Sequence, residues 1–168
     1  MQSLNTFRVE KDQFFGRHHQ SPLTPVQKQH FKGLNYFPEN PTLRLEAEIE
    51  PSSTSEHINI QTTGGQPQSY KRFGKFKFLV DGQSAELTIY KNGHGYFLPF
   101  VDTLAGKETY PAGRYLEPVR LPNGKFLVDF NLAYNPYCAY NEQWSCPITL
   151  AENRLKVAVR AGEKMFEP

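Results

Sequence analysis

The sequence predicts a mainly β protein, an antiparallel sandwich or barrel-like meander with short helices at its N-terminus. Three observations lead there. From Thr42 onward apolar residues recur at every second position, three Asp-Gly or Asn-Gly dipeptides punctuate that pattern, and the chain carries 13 Phe, 9 Tyr and 13 Pro. A length of 168 residues suits one domain with a real core, with a helical segment over 1–41 and a β domain over 42–168.

The helical segment has two pieces. In NTFRVEKDQFFGRHH, Leu4, Phe7, Phe14 and Phe15 fall on one side at helical spacing, and Gly16 offers a stop. In SPLTPVQKQHFKG, Thr24 is the expected N-cap, Pro25 the first helical residue and Gly33 the position just past the end. The prolines of YFPENP then turn the chain.

Strands follow. In TLRLEAEIE, Leu43, Leu45, Ala47 and Ile49 alternate with Arg44, Glu46, Glu48 and Glu50, the pattern of a strand with one wet face. A short strand is expected at His57–Gln61 between two loops. Asp81-Gly82 joins KFKFLV to QSAELTIY, Asn92-Gly93 leads to a strand at Tyr96–Val101, and Asn123-Gly124 joins RYLEPVRLP to KFLVDFN. Such dipeptides supply the positive φ values of two-residue hairpin loops. A last strand is expected at Arg154–Arg160.

Composition excludes several classes of function. Nineteen Lys+Arg against 17 Asp+Glu leave no global basic field to collect nucleic acid. The aromatic-basic stretch from Lys71 to Lys77 alternates as an ordinary wet strand face would. No apolar run approaches the roughly 20 residues of a membrane helix, and the polar start lacks a signal-peptide core, so a cytoplasmic location is expected. Phosphate-loop, dinucleotide, nucleophile-elbow and HExxH motifs are absent, and no cofactor or metal is expected. Cys138 and Cys146 lie too far apart for a CxxC motif and read as two structural thiols near one another. A catalytic Cys138 based on His94 is the lesser reading, since His94 sits between two glycines.

The densest chemistry lies in DFNLAYNPYCAYNEQWSCP, residues 129–147. If Asn123-Gly124 forms a two-residue loop, Leu121 faces Phe126, Leu116 faces Asn131 and Arg114 faces Ala133. Arg114, Asp129 and Asn131 then share one face, with Phe126, Val128, Phe130 and Leu132 on the other. Asn135-Pro136 turns the following loop, and Tyr134, Tyr137, Tyr140 and Trp144 supply rings with polar tips. Rings beside a converging guanidinium, carboxylate and amide describe a small-molecule pocket.

The segments PFVDTLAGKETYPAGRYLEP, DFNLAYNPYCAY, SCP and ENRLKVAVRAGEK, in that order, resemble the core of a bacterial and archaeal family catalogued as a domain of unknown function, number 1684. FRVEKDQFF and FKGLNYFPENP resemble its entry segment, so the likeness covers nearly the whole chain. The resemblance implies recurrent polar positions at Asp102, Glu108, Tyr110, Arg114, Asp129, Asn131, Tyr134 and Asn135, among others, and implies little about activity. The combined expectation is a small-molecule-binding β domain. In its catalytic version it acts on a small polar or anionic substrate, with Arg114 pairing the anion, Asp129 or Glu108 as acid or base, and Asn131 and Tyr134 orienting. Asp102, Tyr110 and Asn135 complete the ligand-binding set. The alternative is a non-catalytic structural or interaction protein in which the same polar cluster locks the fold.

Overall fold

Nine strands and two short helices build the chain in the computed structural model, which describes residues 2–54 and 56–167. Helix α1, Leu4–Arg17, is capped by Ser3, whose hydroxyl accepts from the Thr6 amide at 3.1 Å. It buries Phe15 against Phe31, Tyr137 and Tyr140. Gly16 does not stop it; that residue sits inside the helix, where a Cβ would lie 3.2 Å from the Phe31 ring. Helix α2, Pro25–His30, starts as expected, with Thr24 and Gln27 forming a reciprocal capping box. It ends before Gly33, which turns the chain three residues later at φ +114°.

The strands are β1 Arg44–Ala47, β2 Glu50–Pro51, β3 His57–Ile60, β4 Gln68–Val80, β5 Gln83–Asn92, β6 Gly95–Phe100, β7 Arg114–Leu116, β8 Val119–Arg120 and β9 Phe126–Asp129. All strand ladders are antiparallel. Six form one sheet, in which β4, β5, β6 and β7 follow as a meander while β2 and β3 share the outer edge of β4; the second sheet has the order β1-β9-β8. Between them lies the main core. Phe76, Phe78, Leu87, Ile89, Leu98 and Phe100 of the large sheet meet Ala47, Phe126 and Val128 of the small one, with Phe130 just beyond β9. Burying each such large side chain stabilises the fold by about 1.5–3 kcal/mol. The rings add geometry, as where Phe100 meets Phe130 edge-on at 5.4 Å.

Several expected elements differ. The TLRLEAEIE stretch keeps its alternation but divides: β1 pairs with β9, while β2 crosses to β4 in the other sheet. RYLEPVRLP divides in the same way at Glu117-Pro118. Proline has no N–H to continue a ladder, so β7 stays on β6 while β8 joins β9. Asp81-Gly82 does form a two-residue hairpin loop, with φ of 50° and 79°. The next hairpin closes through Gly93-His94, because Asn92 already pairs with Gly95. The third has a three-residue loop, Pro122–Gly124, since Arg120 pairs with Phe126. Residues 154–160 form no strand; their one bridge is the isolated parallel pair Val101 and Arg154, while Val157 and Val159 pack into the main core.

Candidate functional site

Arg114 opens β7 opposite Phe100. Its guanidinium is buried between the Phe37 and Phe100 rings. It donates to Asp102 Oδ2 at 3.2 Å, to the carbonyls of Val159 at 2.8 Å and Glu163 at 3.2 Å, and to that of Ala161. Asp102 is fully engaged as well. Its Oδ2 also accepts from the Val159 amide at 2.8 Å, and its Oδ1 accepts from Leu104 and Thr109. Burial pulls the guanidinium below its ordinary pKa, with the Asp102 and Glu163 carboxylates opposing that pull.

The expected meeting of Arg114 with Asp129 and Asn131 does not occur. Three local departures from a straight register cause the difference: the break at Pro118 between β7 and β8, the three-residue loop before β9, and a 3-10 turn over Phe130–Leu132 that ends the alternation. Asp129 instead caps that turn, accepting from the Asn131 amide at 3.0 Å and its side-chain amide at 2.9 Å. Asn131 completes a two-point bond to the backbone of Asn40, accepting at 2.8 Å and donating at 3.0 Å. Both residues line a cleft of about 650 Å³ at the start of α1, with Arg44, Glu39 and Phe7.

The remaining expected residues scatter over four places. Asn135 joins a buried group around Glu163: its amide donates to Oε2 at 2.7 Å, Lys11 Nζ reaches the same oxygen at 3.1 Å, and the Tyr140 hydroxyl donates to Oε1 at 2.8 Å. Glu108 pairs on the surface with Arg160 at 2.7 Å. Tyr110 lies beside Cys138, its hydroxyl 3.7 Å from the sulfur.

Tyr134 belongs to an open groove of about 660 Å³ over one end of the large sheet. Tyr70 from β4, Tyr96 and Phe97 from β6, Tyr115 from β7 and Tyr134 line it, with Glu117, Arg120 and His94 among its polar residues. Mutual backbone bonds between Tyr115 and Tyr134, 2.8 and 3.0 Å, hold the wall. The Tyr134 hydroxyl donates to Glu117 at 2.9 Å, that of Tyr70 to Gln68 at 3.0 Å and that of Tyr115 to the Pro147 carbonyl. Burial foremost raises the pKa of Tyr115 and Tyr134, helped at Tyr134 by the Glu117 carboxylate. The basic stretch of β4 is interleaved with acids: Arg72 pairs with Glu152 at 2.9 Å, and Lys75 lies 3.9 Å from Glu50 and Glu86. No helix of the described residues is long and apolar enough to cross a membrane, and among them no group of three or more His, Cys, Asp or Glu is disposed to hold a metal ion.

The family model "Protein of unknown function (DUF1684)" matches residues 29–164. The chain belongs to this family. The solution NMR structure of an uncharacterized protein of Haloarcula marismortui is similar to it throughout, with 38% identity, a TM-score of 0.71, and coverage of 96% of this chain and 91% of that one. No curated protein matches the chain. The DUF1684 match spans the Arg114 cluster, the groove and both cysteines.

Three features of this DUF1684 chain were missed in the sequence: Asp102 as the partner of Arg114, Glu163 as the centre of a second buried group, and the groove itself. Asp102 and Arg114 do stand in one quoted segment, PFVDTLAGKETYPAGRYLEP, where an acid and an arginine flank a loop that could return the chain on itself. Nothing local marks the groove, because its rings come from four separate parts of the chain.

Proposed function

We propose that the aromatic groove binds a small polar molecule with a ring-like flat face and several hydroxyl or amine donors. One observation carries this reading. Four tyrosines line the groove with Phe97, and the hydroxyl hydrogens of three of them, Tyr70, Tyr115 and Tyr134, are committed to internal acceptors. A hydroxyl whose hydrogen is so engaged still carries acceptor lone pairs. The groove therefore offers apolar faces and acceptors together, with Glu117 as a further acceptor. That combination suits a sugar-like or cyclic polyol ligand, and the volume lies within the range of small-molecule sites. Neither Asp129 nor Glu108 lines the groove, so the reading is one of binding, with no catalytic step assigned.

Ligand-observed NMR with a panel of simple sugars and cyclic polyols tests it. Line broadening by at least one member is expected, and Glu117→Ala should remove it without unfolding the protein, since Glu117 is exposed. A panel that produces no broadening, or broadening indifferent to Glu117→Ala, would count against the groove.

A second reading concerns the Arg114 cluster. Each of its hydrogen bonds described above ends on the chain itself, which favours a lock for the fold over an anion site.

A further inference from the structure

The loop that forms one wall of the groove also brings together the two cysteines, and their surroundings are not those of inert core thiols. The Cys138 amide donates to Cys146 Sγ at 3.4 Å, the Tyr110 hydroxyl stands 3.7 Å from Cys138 Sγ, and the Cys146 amide donates to Thr63 Oγ1 at 3.0 Å. Both thiols are free; Cys138 is half-buried and Cys146 is buried. Anchors on both sides hold the pair in place. Tyr140 is tied to Glu163, the Cys146 carbonyl accepts from Thr63 at 2.9 Å, and the Pro147 carbonyl accepts from Tyr115. His94 lines the groove and Cys138 does not, so His94 is not the base expected beside that thiol.

We propose that Cys138 and Cys146 form a redox-active dithiol that reduces a small organic disulfide, with Cys138 as the attacking thiolate and Cys146 as the resolving thiol. This goes beyond the groove reading and does not depend on it.

The steps balance. The Cys138 thiolate attacks one sulfur of the small disulfide; the S–S bond breaks, a mixed disulfide forms on Cys138, and one small thiolate leaves. Cys146 then gives up its proton to that thiolate or to water and attacks Cys138 Sγ. The mixed disulfide breaks, the Cys138–Cys146 bond forms and the second small thiolate leaves. Two electrons have passed from the dithiol to the small disulfide.

The order of attack follows from access and charge. Cys138 is the more exposed of the two residues. Its thiol is held down to about 6, chiefly by its hydrogen-bonding partner Cys146 and then by Tyr110, against the opposing effect of burial. Cys146 is pushed up by sharing that hydrogen bond with Cys138 and by burial. As Cys146 ionises in the second step, the Cys138 amide already points at its sulfur.

The experiment uses the reduced full chain, the aromatic disulfide dithiobis(nitrobenzoate) as probe, absorbance for released aryl thiolate and intact mass for the product. The wild-type chain should release two aryl thiolates and end unlabelled and two hydrogens lighter. Cys146→Ser should release one and retain the aryl group on Cys138. Cys138→Ser should react at least about tenfold more slowly than Cys146→Ser, because a buried thiol with a raised pKa is a poor nucleophile. Two aryl groups retained on the wild-type chain, no reaction without denaturant, or equal rates for the two variants would overturn the proposal. The wild-type label count decides the matter even if a serine variant fails to fold.

Discussion

Arg114 and Asp102 meet at 3.2 Å with both side chains 1% exposed. The same guanidinium takes the carbonyls of Val159, Ala161 and Glu163. The Val159 carbonyl lies on the segment expected to be a strand and the other two just beyond it, and a chain segment without a ladder must satisfy its carbonyls by other means. Here one arginine does what a neighbouring strand would have done. Its planar fork of donors can serve several acceptors at once, which a lysine could not match.

Removing one partner of a buried pair leaves an uncompensated charge, which costs about 3–5 kcal/mol. Asp102→Ala should lose that much in urea unfolding. Asp129→Ala should lose only about 1 kcal/mol, the worth of an ordinary hydrogen-bonding cap. Equal losses, or a larger loss at Asp129, would contradict this assignment of the buried partner.

Gly113 makes a second comparison possible. It holds φ +99°, and a Cβ there would lie 2.4 Å from the Phe100 carbonyl and 2.7 Å from Val101 Cγ2. Gly65 holds φ +88° with nothing within 4 Å. A side chain in the left-handed region costs about 1–2 kcal/mol, and forced overlap adds about 1–3 kcal/mol. Gly113→Ala should therefore destabilise by about 3 kcal/mol or more and Gly65→Ala by about 1–2 kcal/mol, measured by thermal unfolding. Similar losses would show that β6 yields freely at Phe100.

These relationships explain what could be read in the sequence. The β4–β5 hairpin was legible because alternation and an Asp-Gly turn are local signals that agree. The Asp129–Asn131 face was misplaced because each local deviation shifts a register counted outward from a turn. One extra loop residue at Pro122, the break at Pro118 and the 3-10 turn at Phe130 were enough. The carbonyl partners of Arg114 stand 45 to 49 residues away. No periodicity encodes such contacts; they follow from how the sheets and the C-terminal segment pack.

Stability against alkali should report the tyrosines. Burial first raises Tyr115 and Tyr134 above their ordinary value near 10, and raises Tyr140 likewise, with Glu163 adding to the effect. A raised folded-state value means that the folded chain holds protons that the unfolded chain has released. The stabilisation is thus complete below about pH 10 and is lost as pH rises toward the folded values. Unfolding free energy should be level up to about pH 10 and fall above it, with tyrosinate absorbance appearing together with unfolding. Full ionisation of these tyrosines near pH 10 in a folded chain would contradict their burial.

The ionisation of Cys138 gives the last prediction and separates its causes. A thiol alkylates through its thiolate, so the rate follows the thiolate fraction as pH rises. With its thiol held at about 6, Cys138 should show an iodoacetamide rate with a midpoint near that pH, far below the roughly 8.5 of a free cysteine. Cys146 supplies the largest lowering effect and Tyr110 a smaller one. Cys146→Ala should therefore move the midpoint upward, and Tyr110→Phe should move it upward by less, while circular dichroism confirms that both variants remain folded. The sign decides between the two partners and burial. If burial governed the thiol, the wild-type midpoint would lie above 8.5, and neither substitution would raise it.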